Sequence, residues 1–459
     1  MCGIIALSAR PSSRAVPSAT DILATLDAAV ECGRDLATAT SHLMRADQLL
    51  KGVPGVSALI GNLELMNGIA VRLTALNAVM SAADADLESS TMDADLLESA
   101  AATLIAARDA VWAIGQDRLR TARAVAELAG RDAAPSAIAG YLMIQQAFAA
   151  IDRMEVRGRD SAGIHVFVWG HGLSDAEMAS ATAERAGDPL FQSGSVRAID
   201  GVLSFVYKAA AEIGELGDNT RVMRSAVQGD DLLRRALSAP TARVSLVGHT
   251  RWASVGIISE PNAHPVNNQS SLADLDRPYV IAALNGDVDN HADLRIAHDL
   301  TFPGQITTDA KVIPALVTKH VKDCGDTVEA FRRSVASFEG SVAIAAAATD
   351  DPNRLLLALH GSGQGLFVGL ADDSYVVASE PYGVVEETVR YLRLDGEMTS
   401  SASDVKGQIV VLDGERAGTV EGIMRLSYDG RRCRSTTPNS LVPKSRLATS
   451  IVATPRTSC

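Results

Sequence analysis

From about Thr20 to Gly130, apolar residues recur three and four positions apart, and this periodicity sets the first limit on the fold. Such spacing gathers side chains on one face of a helix, which must then be buried against another element. Ile22, Leu26 and Val30 form one such set. Leu59, Leu63 and Met66 form a second, and Leu96, Ile105 and Trp112 a third. Breaks at Pro54-Gly55, Asp84–Met92 and Gly130–Pro135 divide the block into three long helices, at roughly 20–50, 56–86 and 92–129, as in an antiparallel bundle. The flanks read differently. Residues 1–9 read as a short buried strand, and strand-like runs take over again after Gly163.

Between the two regimes, Ser136 to Met154 reads as a further helix leading into Arg157-Gly-Arg-Asp-Ser-Ala-Gly163. Strands are expected at Ile164–Trp169, Val244–Val247, Tyr279–Leu284, Val342–Ala347, Leu355–Leu359, Leu366–Leu370, Tyr375–Ala378 and Gln408–Leu412. Helical stretches are expected near 202–215 and 309–337. Sheets layered with helices follow, an α+β chain. Beyond Asp429 no acidic residue occurs and Arg, Ser, Thr and Pro dominate, so 430–459 is expected to be a disordered tail.

Composition removes several classes of function. The chain has 459 residues, enough for two or three domain-sized units, and a net charge of −13 argues against a nucleic-acid partner. No apolar run reads as a membrane span, and no basic-then-apolar leader opens the chain. Five scattered cysteines suit a reducing cytoplasm rather than a disulfide framework, and no His/Cys cluster calls for a metal. No cofactor is implied.

One of those cysteines is chemically placed. Cys2 follows the initiator methionine, and removal of Met1 would leave its thiol and a free α-amine on one residue. An α-amine titrates near pH ~8, so one residue could supply both nucleophile and base.

Five segments in order resemble one family. They are Cys2-Gly-Ile-Ile; Arg157-Gly-Arg-Asp-Ser-Ala-Gly-Ile; Gly248-His-Thr-Arg-Trp-Ala253 with Asn262-Ala-His-Pro265; Leu284-Asn-Gly286 with Asn290 and Leu294-Arg295; and Thr308-Asp309-Ala-Lys-Val-Ile313. The chain resembles the class-II, N-terminal-nucleophile glutamine amidotransferases, and within them the glutaminase domain of glucosamine-6-phosphate synthases. The resemblance covers residues 1–9 and about 136–425. It implies an N-terminal-nucleophile hydrolase fold, a four-layer α-β-β-α sandwich. It also implies glutamine hydrolysis to glutamate and ammonia, with Cys2 as nucleophile and Asn285 and the Gly286 N–H as oxyanion donors. Arg251 would bind the substrate α-carboxylate and Asp309 its α-ammonium. Trp252 would belong to a closing loop, and Arg157 would support the terminus. Read without the family, Asn285-Gly286 is a tight turn, Asp309 a helix cap, Trp252 a core residue and Arg157 a surface ion pair.

The chain departs from the family pattern in places. Val255 stands where the family has a histidine, and Leu284 where a histidine is frequent. His249 and His264 read as buried structural histidines. Arg157 follows Cys2 by more than 150 residues rather than a few tens, so 12–134 is expected to be a helical insertion between two parts of one domain, 1–11 and 135–425. The two isomerase domains of those synthases are not seen after 425, which implies a separate sugar-phosphate isomerase partner or its loss. With free synonymous codons, a one-nucleotide frame change turns Leu447–Cys459 into a segment resembling the family's linker to them. A stand-alone glutaminase with a basic tail is the competing reading. A glutaminase serving another acceptor and a non-catalytic scaffold on a relic fold are the other functional readings. The cysteine reading makes a direct prediction: the mature protein should lack exactly one methionine residue by intact mass, and a retained Met1 would block the proposed base.

Overall fold

The computed structural model describes residues 2–185, 191–211, 215–271, 276–400, 403–433 and 439–440. The described chain forms two compact units, one of residues 2–11 and 146–440 and one of residues 12–145. The boundary falls inside a helix, Pro135–Met154.

In the helical unit the elements are α1 (Ala19–Glu31), α2 (Leu36–Leu50), α3 (Gly52–Leu59), α4 (Leu63–Glu88), α5 (Ala94–Trp112) and α6 (Leu119–Ala129), followed by α7 (Pro135–Met154). The helix expected over 20–50 is therefore two. The chain turns at Cys32–Arg34, and the Asp35 carboxylate restarts it by accepting from the Thr38 N–H at 3.2 Å. The helix expected over 92–129 is interrupted by a widened π turn, Ala113–Arg118. That turn carries Arg118 to a buried position where Nε donates to Asp47 Oδ1 at 2.8 Å. The unit has its own core, in which Ile22, Leu26, Leu43, Ile69, Leu76 and Leu104 meet. By length and composition α4 could cross a membrane, contrary to the reading from sequence. Its stripe of Leu65, Ile69, Leu73, Leu76 and Met80 is instead buried in this core.

The other unit is α+β. Its strands are β1 (Gly3–Ala9), β2 (Ser161–Trp169), β3 (Val196–Ile199), β4 (Val202–Ala209), β5 (Arg243–Arg251), β6 (Val266–Asn267), β7 (Val280–Gly286), β8 (Val342–Ala348) and β9 (Arg354–His360). There follow β10 (Phe367–Leu370), β11 (Ser374–Ala378), β12 (Arg390–Arg393), β13 (Thr399–Ser400), β14 (Ser403–Lys406), β15 (Gln408–Asp413), β16 (Ile423–Ser427) and β17 (Asn439–Ser440). One antiparallel sheet has the order β17-β12-β10-β11-β1-β5-β2-β4-β3, and the other β16-β15-β9-β8-β7-β6. Their inner faces share one core, with Ile4, Ala6, Val247 and Val377 from the first sheet against Ile281, Ala345 and Leu357 from the second. Alanine dominates β8, and every residue of it is buried.

Helices cover the outer faces. Ile313, Leu316 and Phe331, from two helices (Val312–Cys324 and Thr327–Val335), pack on Val280, Ala282, Ile344 and Leu356 of the second sheet. On the outer side of the first sheet, Tyr207 of β4 donates to Asp230 Oδ2 at 2.8 Å, just before a short helix (Asp231–Ser238).

Two expectations need correcting. Residues 202–209 are a strand, not helix. Val202, Ser204, Val206 and Lys208 face the second sheet while Leu203, Phe205 and Tyr207 face outward, and all are buried, so period-two pairing with β2 overrode the helix-like composition. The tail expected from 430 is ordered at its start, where the Cys433 N–H donates to the Arg425 carbonyl at 2.9 Å. Asn439 and Ser440 pair with β12, and residues 434–438 and 441–459 lie outside the described residues.

In the helical unit, Asp47 is held below the usual carboxylate range. Burial raises it, but Arg118 and Lys51 more than reverse that. Arg118→Met should remove the larger of the two attractions. We expect a loss of about 3 kcal/mol in urea unfolding of the helical unit. Because the Asp47 carboxyl is depressed on folding, wild type should lose part of this stability as pH falls below about 4, and the variant should lose less.

Candidate active site

The first strand brings Cys2 to the centre of the larger sheet. β1 pairs with β5 on one side (Gly3 opposite Thr250, Ile5 opposite Gly248) and with β11 on the other (Ile5 opposite Ala378). Cys2 therefore lies beside the end of β5. The Trp252 N–H donates to Cys2 Sγ at 3.2 Å, and the thiol donates to the Trp252 carbonyl at 3.3 Å. Burial pushes the Cys2 thiol up; the Trp252 N–H and the Arg251 charge pull it down.

The second sheet supplies the facing group. Asn285 is the penultimate residue of β7, and its Nδ2 donates to the Cys2 carbonyl at 2.9 Å. Its Oδ1 lies 3.0 Å from His249 Nε2, so with Nδ2 aimed at Cys2 the imidazole is the donor to Oδ1. His249 is buried, and burial pulls it down to about 3, so it is neutral. Gly286 adopts φ +85°, and a Cβ there would lie 1.9 Å from the Ser341 carbonyl oxygen. Only glycine fits this turn without displacing the chain at Ser341, just before β8.

Arg251 ends β5 and is buried. Its guanidinium donates to the Ile257 carbonyl at 3.2 Å and to the Val255 carbonyl. The loop therefore uses the backbone of Val255, and the missing imidazole there costs this contact nothing. Asp309 opens a 3₁₀ turn (Asp309–Lys311) and accepts from the Val288 N–H at 2.8 Å. Burial, then Asp287, pushes its carboxyl up, while hydrogen bonds from Val288 and Ala310 oppose the shift. Arg251 is electrostatically coupled to Cys2, Asp309 and Asp160. Trp252 is 58% exposed and no core residue. Arg157 closes the turn Glu155–Arg157, and its side chain lies outside the described part of the structure.

Loop contacts join the motifs. The Asp160 N–H donates to the Arg251 carbonyl at 3.0 Å, and the Ala253 N–H returns to Asp160 Oδ2 at 2.9 Å. Ser254 donates to Asp287 at 2.7 Å. Asn262 Oδ1 accepts from the Thr307 and Thr308 N–H groups at 2.7 and 3.0 Å, which fixes the approach to Asp309. His264 bridges the Leu284 carbonyl and Thr308 Oγ1, at 3.2 and 2.9 Å. Leu284 itself packs outward into the helix-covered core, so no imidazole is needed at that position for this contact. The orienting contacts of His249, Asp160, Asp287 and Asn262 were not legible from sequence. The only signal was that His249, Asp160 and Asn262 lie within the quoted segments and Asp287 directly follows one. Among the described residues no group of His, Cys, Asp and Glu could hold a metal.

In sequence, the chain is similar to glutamine-dependent aminotransferases over part of its length. The relatives it matches include isomerizing glutamine--fructose-6-phosphate aminotransferases. It is 34% identical over 184 residues to that of Geobacillus kaustophilus, covering 40% of this chain and 29% of the relative. It is 33% identical over 185 residues to that of Bacillus licheniformis, with the same two coverages. The match thus spans under a third of those relatives' length. No protein-family model matches the chain. A solved glutamine phosphoribosylpyrophosphate amidotransferase from B. subtilis aligns with 63% of this chain and 48% of its own, at 18% identity and a TM-score of 0.39.

Because His249 titrates near 3 when folded and near 6.5 when unfolded, the unfolded chain binds the extra proton between these values. Stability should therefore fall on acidification through that window. His249→Gln keeps a donor for Asn285 and should flatten the slope by up to about 1.4 kcal/mol per pH unit, read from urea midpoints.

Proposed function

We propose that this chain hydrolyses the side-chain amide of L-glutamine to glutamate and ammonia through a thioester at Cys2. The observation that carries the reading is that Cys2 meets the Asn285 amide and the Trp252 backbone, beside a buried Arg251 that acts electrostatically on both Cys2 and Asp309. The partial identity to the aminotransferases supports it. The two facing antiparallel sheets with helices outside support an N-terminal-nucleophile hydrolase sandwich, and the helical unit is read as an insertion into it.

In this reading Met1 is removed and the freed α-amine takes the Cys2 thiol proton, directly or through water. The sulfur attacks the amide carbon. Asn285 Nδ2 and the Gly286 N–H stabilise the oxyanion, the C–N bond breaks, and the leaving nitrogen takes the proton and departs as ammonia. Water then attacks the thioester, releasing glutamate and restoring the thiol. Arg251 holds the α-carboxylate and Asp309 the α-ammonium. The Trp252 loop closes over the substrate, and Arg157 supports the terminus. Delivery of the ammonia to a sugar phosphate would require an isomerase partner, and the cytoplasm is the expected setting.

The test is alkylation by 6-diazo-5-oxo-norleucine. Cys2 should carry the adduct, with loss of ammonia release. Asn285→Ala should lower kcat about 10²–10³-fold. A folded protein that neither labels at Cys2 nor releases ammonia from glutamine would overturn the reading and favour a scaffold role.

A further inference from the structure

Beside the candidate site, the space between the sheets holds a buried imidazole without hydrogen-bond partners and, next to it, a buried lysine. His165 lies on β2 and Lys208 on β4. The register sets Gly163 opposite Lys208 and His165 opposite Val206, so the two residues are diagonal neighbours on the inner face. Neither ring nitrogen of His165 has a hydrogen-bond partner, and the residue is 1% exposed. Lys208 is also 1% exposed. Among the described residues its amine makes no hydrogen bond and no ion pair. Its stem crosses Gly163, where a Cβ would stand 3.1 Å from Lys208 Cγ and 2.5 Å from the His264 carbonyl oxygen, so this position has no room for a side chain.

The surrounding field is positive. Arg251 and Lys208 act on each other with like sign, and Lys208 and Lys311 both act on His165. Lys311 is occupied with the carbonyls of Asn267 and Gln269, each at 2.5 Å. The acid that acts on Lys208 is Glu260, whose Oε2 accepts the Ser193 N–H at 3.0 Å. Burial, then the like charge of Arg251, pulls the Lys208 amine down to about 7 against the attraction of Glu260. A buried ammonium without a direct ion pair and an unpartnered imidazole are each costly inside a protein. One small negative ion between them offsets both costs, and the positive surroundings favour an ion over water.

We propose that Lys208 and His165 form an internal binding site for a small monovalent inorganic anion, held between the two sheets. The site is separate from the glutamine chemistry and does not depend on it.

Bromide is the probe, titrated against gluconate at constant ionic strength with the full chain. Crystals grown in bromide should show an anomalous peak within hydrogen-bond reach of Lys208 Nζ and His165. The thermal midpoint of wild type should rise with bromide concentration, as for a ligand that binds only the folded state. Lys208→Met should lose that rise. If Lys208→Met does not fold, His165→Leu is measured instead and should weaken the bromide response at least tenfold in midpoint concentration. Ordered water in place of an anomalous peak would overturn the proposal. So would a peak with no effect in solution, or a bromide response equal in wild type and variant. Labelling of Cys2 is a separate readout, so either idea can fail without the other.

Discussion

The insertion of β1 between β5 and β11 is the constraint on which the candidate site depends. Ile4 to Leu7 are fully buried, so both faces of this short strand are sealed into packed layers. That burial fixes the register, because a slip of one residue would turn each side chain to the wrong face. With the register fixed, Cys2 can only emerge beside the end of β5, where the Trp252 backbone meets its sulfur. The neighbours of β1 come from residues 243–251 and 374–378, so this short segment is held by long-range pairing rather than by local structure.

The second determinant is the polar character of the space between the sheets near that strand. Elsewhere the interlayer is mostly aliphatic, with Phe167, Tyr279 and Tyr375 among the alanine, leucine, isoleucine and valine. Around the ends of β2, β5 and β7 it holds Arg251, His249, His264 and Asn285, all buried. Their order is maintained by burial itself. Desolvation keeps His249 and His264 neutral, and a neutral ring can orient an amide or bridge a carbonyl and a hydroxyl without adding charge beside Arg251. The guanidinium is held by backbone carbonyls of its own loop, so tolerance at Val255 has a simple origin: the carbonyl is present whatever the side chain.

Strands with strong apolar runs were legible, and so was the helical character of 20–130, because periodicity survives without tertiary context. The segment around 202–215 was not. Its alanine-rich end resembles helix, and the pairing of β4 with β2 overrode that local preference. Reading it as helix also hid Lys208, whose significance arises only from facing Gly163 across a ladder. The split between α1 and α2 and the π turn that buries Arg118 were missed for a related reason. Both are settled by side-chain partners, Thr38 with Asp35 and Asp47 with Arg118, rather than by composition.

The sequence alone determined the residue types available for chemistry. A thiol next to the initiator methionine, an Asn-Gly pair, an Arg-Trp pair and an Asp opening an apolar segment can be read directly because their reactivity is intrinsic to the side chains. Only the tertiary structure decided which of them meet. Cys2 and Asn285 are joined through strands of two different sheets, and Asp309 reaches Val288 rather than serving as a simple helix cap. Proximity of this kind is produced by non-local pairing and burial, and no local pattern along a chain encodes it.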